Sequence, residues 1–280
     1  METKPSRRLE GKVAIVIGVS EEGMGRTVAL TFAREGAAVA VCSRTRSQIE
    51  KVAEEIRAMG GKAIAISTDA TIQDQVDRMV EATVSQFGSV DILFYNAGGA
   101  GAARGAPTEV RFEDWQATIN QNLVGAFLCT QAVLKKMMPQ QSGRIILTGS
   151  AAGVRPVSGD MSAYNVGNAG EIALAQSLAA ATAHLGICVN VICPGAVNSR
   201  DWTKKAKDRF PSGVEGKPVD PGRFNQPEEI ADVVLFLASY ESRALTGAVI
   251  NLHFRSDIRA YSVWRNAEPQ YIERPATYKW

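Results

Sequence analysis

The eight residues Gly18-Val19-Ser20-Glu21-Glu22-Gly23-Met24-Gly25 stand between a short apolar run and a helical pattern that starts at Arg26. The chemistry open to such a stretch is the binding of phosphate. Glycines there let the chain turn tightly, bring its backbone close to a pyrophosphate and pack the helix close to the strand. The free N–H groups at the helix start then face the anion. Glycines in an isolated loop would say little; their place between a first strand and a first helix gives them meaning. Gly18, Ser20, Gly23, Met24 and Gly25 are the residues such a cradle would use.

A second position bears on which dinucleotide fits. The next apolar run ends in Val41-Cys42-Ser43-Arg44. A fold that prefers NAD carries an acidic residue here to bind the ribose 2′-hydroxyl. A carboxylate would repel a 2′-phosphate, whereas the hydroxyl of Ser43 and the guanidinium of Arg44 would bind one. The pair favours NADP(H) over NAD(H), against the plainer alternative that Arg44 is a solvated residue at a helix start.

These residues need a scaffold, and the hydrophobic pattern supplies one. Short runs that are apolar throughout predict strands at 13–17, 38–42, 63–66, 92–94, 145–147, 188–192 and 249–252, as expected where helices cover both faces of a parallel sheet. Between them, apolar residues recur at helical spacing. Ile49, Val52, Ala53, Ile56 and Met59 form one stripe, which Gly60-Gly61 ends. Further helical stretches are predicted over 72–87, 112–138, 163–184 and 228–239. The alternation gives a single-domain α/β fold of Rossmann type, a doubly wound parallel sheet of about seven strands.

The polar, proline-broken stretch 200–223 reads as a long loop, either a substrate lid or a surface excursion. Residues 1–254 read as the dinucleotide-binding domain. The tail 255–280, with Tyr261, Trp264, Tyr271, Tyr278 and Trp280, is expected to dock on the same or a neighbouring subunit.

Composition narrows the function further. With 31 Lys+Arg against 29 Asp+Glu in 280 residues, nothing favours a general attraction to nucleic acid or a membrane surface. The four cysteines are scattered, form no C-x-x-C pair and suit a reducing cytosol. No signal-peptide pattern and no membrane-length apolar run is present, so a cytoplasmic protein is expected. No His, Cys, Asp and Glu set has metal-ligand spacing. Ser150 lies in no Gly-x-Ser-x-Gly elbow, which sets a hydrolase aside. His184 reads as a helix-end residue, and His253 is given no role.

In this order the motifs resemble the short-chain dehydrogenase/reductase family over nearly all of the chain up to Leu252. Asp69-Ala70 matches its adenine-contacting position, Asn96-Ala97-Gly98 its N-A-G motif, and Asn122 its active-site asparagine. Ser150 falls at the catalytic serine, Tyr164 at the catalytic tyrosine, and Pro194-Gly195, Val197 and Ser199 along the segment after the sixth strand. The resemblance implies a carbonyl–alcohol interconversion. Ser150 would hold the substrate oxygen, Tyr164 would pass the proton, Asn122 would order a helper water, and a homodimer or homotetramer would form.

Three departures accompany it. The glycine loop is one residue longer between Gly18 and Gly23 than the family's. The Asp-Gly-Gly near the last strand is replaced by Asn251-Leu252-His253-Phe254-Arg255. In Tyr164-Asn165-Val166-Gly167-Asn168, asparagine stands where the family's Tyr-x-x-x-Lys has lysine. Asn168 can still donate hydrogen bonds to ribose hydroxyls, but it brings no charge to lower the tyrosine pKa. Carbonyl reduction, which needs a neutral proton donor, then suffers less than alcohol oxidation. Three explanations stay open. Another cation could replace the lysine, with Arg155, Lys204, Lys205 and Lys207 as candidates. The subunit could be a degenerate partner of an active relative, or Asn168 could have been introduced into an active enzyme.

Overall fold

The computed structural model of the chain describes residues 7–156, 159–198 and 225–252. Ser199, Lys204, Lys205, Lys207, His253, the loop 200–223 and the aromatic tail lie outside the described residues.

Seven strands form one parallel sheet: β1 (Val13–Ile17), β2 (Ala38–Ser43), β3 (Lys62–Ser67), β4 (Ile92–Tyr95), β5 (Gly143–Thr148), β6 (Ile187–Pro194) and β7 (Val249–Leu252). Their order is β3-β2-β1-β4-β5-β6-β7. Along each strand, successive side chains enter opposite cores. Ala14 and Val16 join the core under α1 (Met24–Arg34), α2 (Arg46–Ala58) and α8 (Pro227–Ala238). Ile15 and Ile17 join the core under α3 (Gln73–Phe87), α5 (Gly125–Gln140) and α7 (Ser162–Thr182). Continuous apolar runs are what a two-sided sheet demands, and they are why the predicted strands match the observed ones to within two residues.

Two helices differ from expectation. α1 begins at Met24, two residues before the predicted start, because Gly23 at φ 95° turns the chain directly into it. The stretch 112–138 is not one α-helix. α4 (Phe112–Ile119) gives way to a π turn, Asn120–Val124, before α5 resumes. The Asn122 side-chain amide takes the Thr118 carbonyl at 2.7 Å, the acceptor that a regular helix would offer to a backbone N–H, and the turn widens there.

The order reverses between β1 and β4, where the chain leaves β1 for β2 on one side and returns on the other. In a doubly wound sheet, ligands sit outside the carboxyl ends of the strands at this switch point.

Candidate active site

A cleft of about 220 Å³ opens at that switch point, lined by Met24, Asn96 to Gly99, Asn122, Thr148 to Ser150, Tyr164, Asn168, Pro194, Gly195 and Val197. A larger hollow of about 850 Å³ lies at the amino ends of β1, β2 and β3, among Lys12, Arg34, Arg57 and Lys62. That is the opposite end of the sheet, and none of the candidate residues reaches it.

The glycine turn closes one end of the cleft. Gly18 has φ 85°, and a Cβ there would stand 2.5 Å from the Asn96 carbonyl, so only glycine lets β1 and β4 lie this close at their ends. Asn96 returns the contact by donating from Nδ2 to the Gly18 oxygen at 3.2 Å. The Asn96 Oδ1 is buried and without a hydrogen-bond partner. No side chain caps α1, and its first turn holds no acidic residue, so its N–H groups face the cleft uncompensated.

The longer loop is tied down from outside. Ser20 is exposed and donates to the Glu22 carbonyl at 2.5 Å, while Glu21 pairs with Lys51 of α2 at 2.8 Å.

Ser43, Arg44, Asp69 and Ala70 do not line this cleft; they stand at the carboxyl ends of β2 and β3 and in the turns that follow. The Ser43 Oγ is buried and unpartnered, while Arg44 is exposed. Asp69 Oδ1 accepts from Thr71 N at 2.9 Å and from Thr71 Oγ1 at 2.7 Å. Partial burial works against the charge of Asp69, but the Thr71 hydrogen bonds and the Arg44 guanidinium hold its carboxyl below the usual range.

At the other end, Ser150 leaves β5 in extended conformation and its Oγ accepts from Ala152 N at 3.2 Å, capping the short helix α6 (Ala151–Val154). Tyr164 enters the cleft from the first turn of α7. Burial raises the Tyr164 phenol above its ordinary range and nearby Glu171 adds to this, while hydrogen bonds with Ser150 and Asn168 and the charge of Arg104 pull the other way. The phenol therefore stays protonated at neutral pH.

Asn168 follows one turn later, buried, and donates from Nδ2 to the Tyr164 carbonyl at 2.8 Å. Asn122 is fully engaged: Nδ2 donates to the Gly99 and Thr118 carbonyls at 2.9 and 2.7 Å, and Oδ1 accepts from Gly99 N at 3.0 Å. Both amide protons being used, a helper water here could only donate, to the remaining Oδ1 lone pair or to carbonyls of the π turn.

Three features escape sequence reasoning. Gly99, Thr148 and Gly149 line the cleft. Arg104, in the segment after β4, is a basic side chain whose charge acts on Tyr164. Glu171 is buried in α7. Only the last had a signal, since an acidic residue seven positions after Tyr164 and three after Asn168 falls on their helical stripe. All four cysteines are buried and free, and no metal-binding group of His, Cys, Asp and Glu occurs among the described residues. No described helix is long and apolar enough to cross a membrane.

Comparison with known proteins places this geometry in company. The family model described as enoyl-(acyl carrier protein) reductase matches residues 18–253. The chain is 35% identical over 246 residues to the 3-oxoacyl-(acyl-carrier-protein) reductase FabG of Thermotoga maritima, covering 88% of this chain and 97% of that protein. Among solved structures, levodione reductase superposes with a TM-score of 0.81 at 27% identity, over 91% of this chain and 100% of that one. NAD+-bound xylitol dehydrogenase superposes with a TM-score of 0.80 at 30% identity, over 87% and 98%.

Proposed function

This chain belongs to the short-chain dehydrogenase/reductase family, and we propose that within it the protein is an NADP(H)-dependent reductase of a ketone or aldehyde. The observation that carries the reading is one cleft in which Tyr164, a neutral phenol beside Ser150, meets an uncapped helix N-terminus. The residues present fit a dinucleotide. The α1 N-terminus and the backbone around Gly18 and Gly23 would hold the pyrophosphate. Asp69 and Ala70 would face the adenine, Asn96 to Gly98 and Pro194 to Val197 would flank the nicotinamide half, and Asn168 would reach the ribose.

The cofactor preference rests on Ser43 and Arg44. No carboxylate ends β2, the exposed guanidinium follows it, and Glu21 of the glycine loop is paired with Lys51. A 2′-phosphate meets one cation and one hydroxyl there, once Ser43 turns its Oγ outward.

When bound, the reduced nicotinamide supplies the hydride that the carbonyl carbon receives. Ser150 donates a hydrogen bond to the carbonyl oxygen and fixes it near the phenol. Tyr164 gives its proton to that oxygen as the alcohol forms, and solvent returns a proton to the phenolate. Without a cation at position 168 the phenolate is poorly stabilised, so reduction is favoured over oxidation. The names of the relatives, which concern a 3-oxoacyl group, levodione and xylitol, agree on carbonyl or alcohol chemistry and leave the substrate open. A cytoplasmic homodimer or homotetramer belongs to the same reading, and light scattering checks its size.

The test is to titrate NADPH and NADH into the pure protein and then to follow NADPH oxidation with a panel of carbonyl compounds. NADPH should bind more tightly than NADH by about tenfold or more, as a charge-assisted contact worth ~1.5–3 kcal/mol implies. Tyr164→Phe should lower turnover by roughly 10²–10⁴ and leave NADPH affinity nearly unchanged. Equal binding of NADH would sink the assignment to Ser43 and Arg44. Binding without turnover, with activity appearing only in Asn168→Lys, would replace the enzyme by a cofactor-holding subunit.

A further inference from the structure

Glu171 is the one acidic or basic side chain between Ser162 and Thr182, and it is 1% exposed. On α7 it stands three residues after Asn168 and seven after Tyr164, so the three share one stripe of the helix. Side chains on a helix lean toward its N-terminus, which carries the Glu171 carboxyl back beneath Asn168. There it meets the floor of the cleft. The Thr148 backbone N–H at the end of β5 is its hydrogen-bonding neighbour, and its charge would be felt by Tyr95 on β4, Cys193 on β6 and Tyr164. Two buried polar atoms in this neighbourhood have no hydrogen-bond partner, Glu171 Oε1 and Thr148 Oγ1, and Thr148 itself lines the cleft.

We propose that Asn168 and Glu171 are a matched pair that keeps the floor beneath Tyr164 uncharged, with Glu171 as a positioning residue that would capture any cation placed at 168. The proposal rests on the reading of Tyr164 as the proton donor. A carboxylate withdrawn from water is costly unless paired. Burial drives Glu171 strongly toward its protonated form, only the Thr148 N–H opposes this, and no basic side chain among the described residues acts on it. An ammonium at position 168 changes that balance. Lysine and Glu171 would lie within i,i+3 reach in a low-dielectric interior, where the ion pair is far better than either charge alone. The pair carries no net charge. Tyr164 would then feel little of the field that a lone lysine provides, and restoring the lysine would not restore the lowered tyrosine pKa. Asparagine and the neutral acid are compatible; lysine and this glutamate cancel.

The test needs neither cofactor nor substrate. Protein carrying ¹³C at tyrosine Cζ and glutamate Cδ is titrated by NMR as the native sequence, Asn168→Lys, Glu171→Gln and the double variant. Tyr164→Phe and Glu171→Gln assign the two signals. In the native protein the Glu171 carboxyl should be protonated near pH 7, and in Asn168→Lys it should be ionised. The Tyr164 midpoint should lie lower in the double variant than in Asn168→Lys by about one unit or more, because Glu171 offsets the lysine in the single variant. An equal fall in the single and double variants would overturn the proposal, as would a Glu171 already ionised near pH 7 in the native protein. If Asn168→Lys does not fold, a Glu171 found ionised near pH 7 in the native protein still overturns the proposal. A Tyr164→Phe variant with undiminished turnover would instead remove the reductase reading and leave these midpoints as measured.

Discussion

The π turn at Asn120–Val124 and the middle of α7 pack against one another below the same cleft, and each buries a polar side chain. They treat it differently. Asn122 places three hydrogen bonds, all to backbone, and each joins two segments that must stay in register: α4, the π turn and the glycine-rich strand exit at Gly99. Glu171 leaves Oε1 unpartnered. Gly167 makes the contact between the two regions close, since a Cβ there would meet the Asn122 Cβ at 3.2 Å. A buried network with every donor used rigidifies its surroundings, whereas a half-satisfied one is sensitive to protonation. The π turn therefore reads as the fixed wall of the site and α7 as the wall whose charge state can change.

The largest expected effect tests the α7 side of that contrast through pH. A carboxyl whose native pKa is raised binds its proton more tightly in the folded than in the unfolded state. Below the unfolded value of ~4.3 both states are protonated and Glu171 has no pH-dependent effect on stability. Above it the unfolded chain gives up the proton first, so native stability falls as pH rises, at ~1.4 kcal/mol per unit, until the native carboxyl ionises. Glu171→Gln does not titrate. Denaturant unfolding at a series of pH values should show the variant gaining on the native protein from about pH 4.5 upward. A constant difference across this window would mean that Glu171 is an ordinary ionised group and that the contrast with Asn122 is empty.

Next in size is the π-turn side. Asn122→Asp keeps the shape but loses both donors, so the Gly99 and Thr118 carbonyls lose this partner and face a carboxylate. Stability at neutral pH should drop by at least ~2 kcal/mol, from roughly 1–3 kcal/mol for each of the two orphaned groups. The sign with pH is again specific, because protonating the new acid restores one donor, so the loss should shrink on acidification. A variant as stable as the native protein in urea would show that the π turn does not depend on this side chain.

The contrast also marks what could be read from the sequence. The strands and the order of motifs were legible because a two-sided sheet needs continuous apolar runs and a dinucleotide turn needs glycine where the backbone of Gly18 meets that of Asn96. Met24, Asn96 to Gly98, Asn122, Ser150, Tyr164, Asn168, Pro194, Gly195 and Val197 do converge on one cleft. The π turn was not legible, since it arises from a side chain displacing a backbone donor, and the helical period passes through it unbroken. Nor was the anchoring of the glycine loop, where Glu21 finds Lys51 across thirty residues. Glu171 sat on a readable stripe, but whether an acidic residue on a stripe is solvated or buried depends on the sheet behind it, which no local pattern contains.

The smallest effect separates local from distant electrostatics at Tyr164. Arg104 is exposed, and its charge favours the phenolate. Because water screens an exposed charge, Arg104→Ala should raise the Tyr164 midpoint by less than about half a unit at low salt, and by almost nothing at ~1 M salt, where the Debye length is ~3 Å. The Asn168→Lys/Glu171→Gln shift arises in the buried floor and should survive the same salt. If both shifts vanished together, the floor beneath Tyr164 would be open to water, and the protonation of Glu171 would need a cause other than burial. If the Arg104 effect persisted at high salt, that guanidinium would be in direct contact with the phenol and would stand in for the missing lysine. In that case the substitute cation comes from the segment after β4.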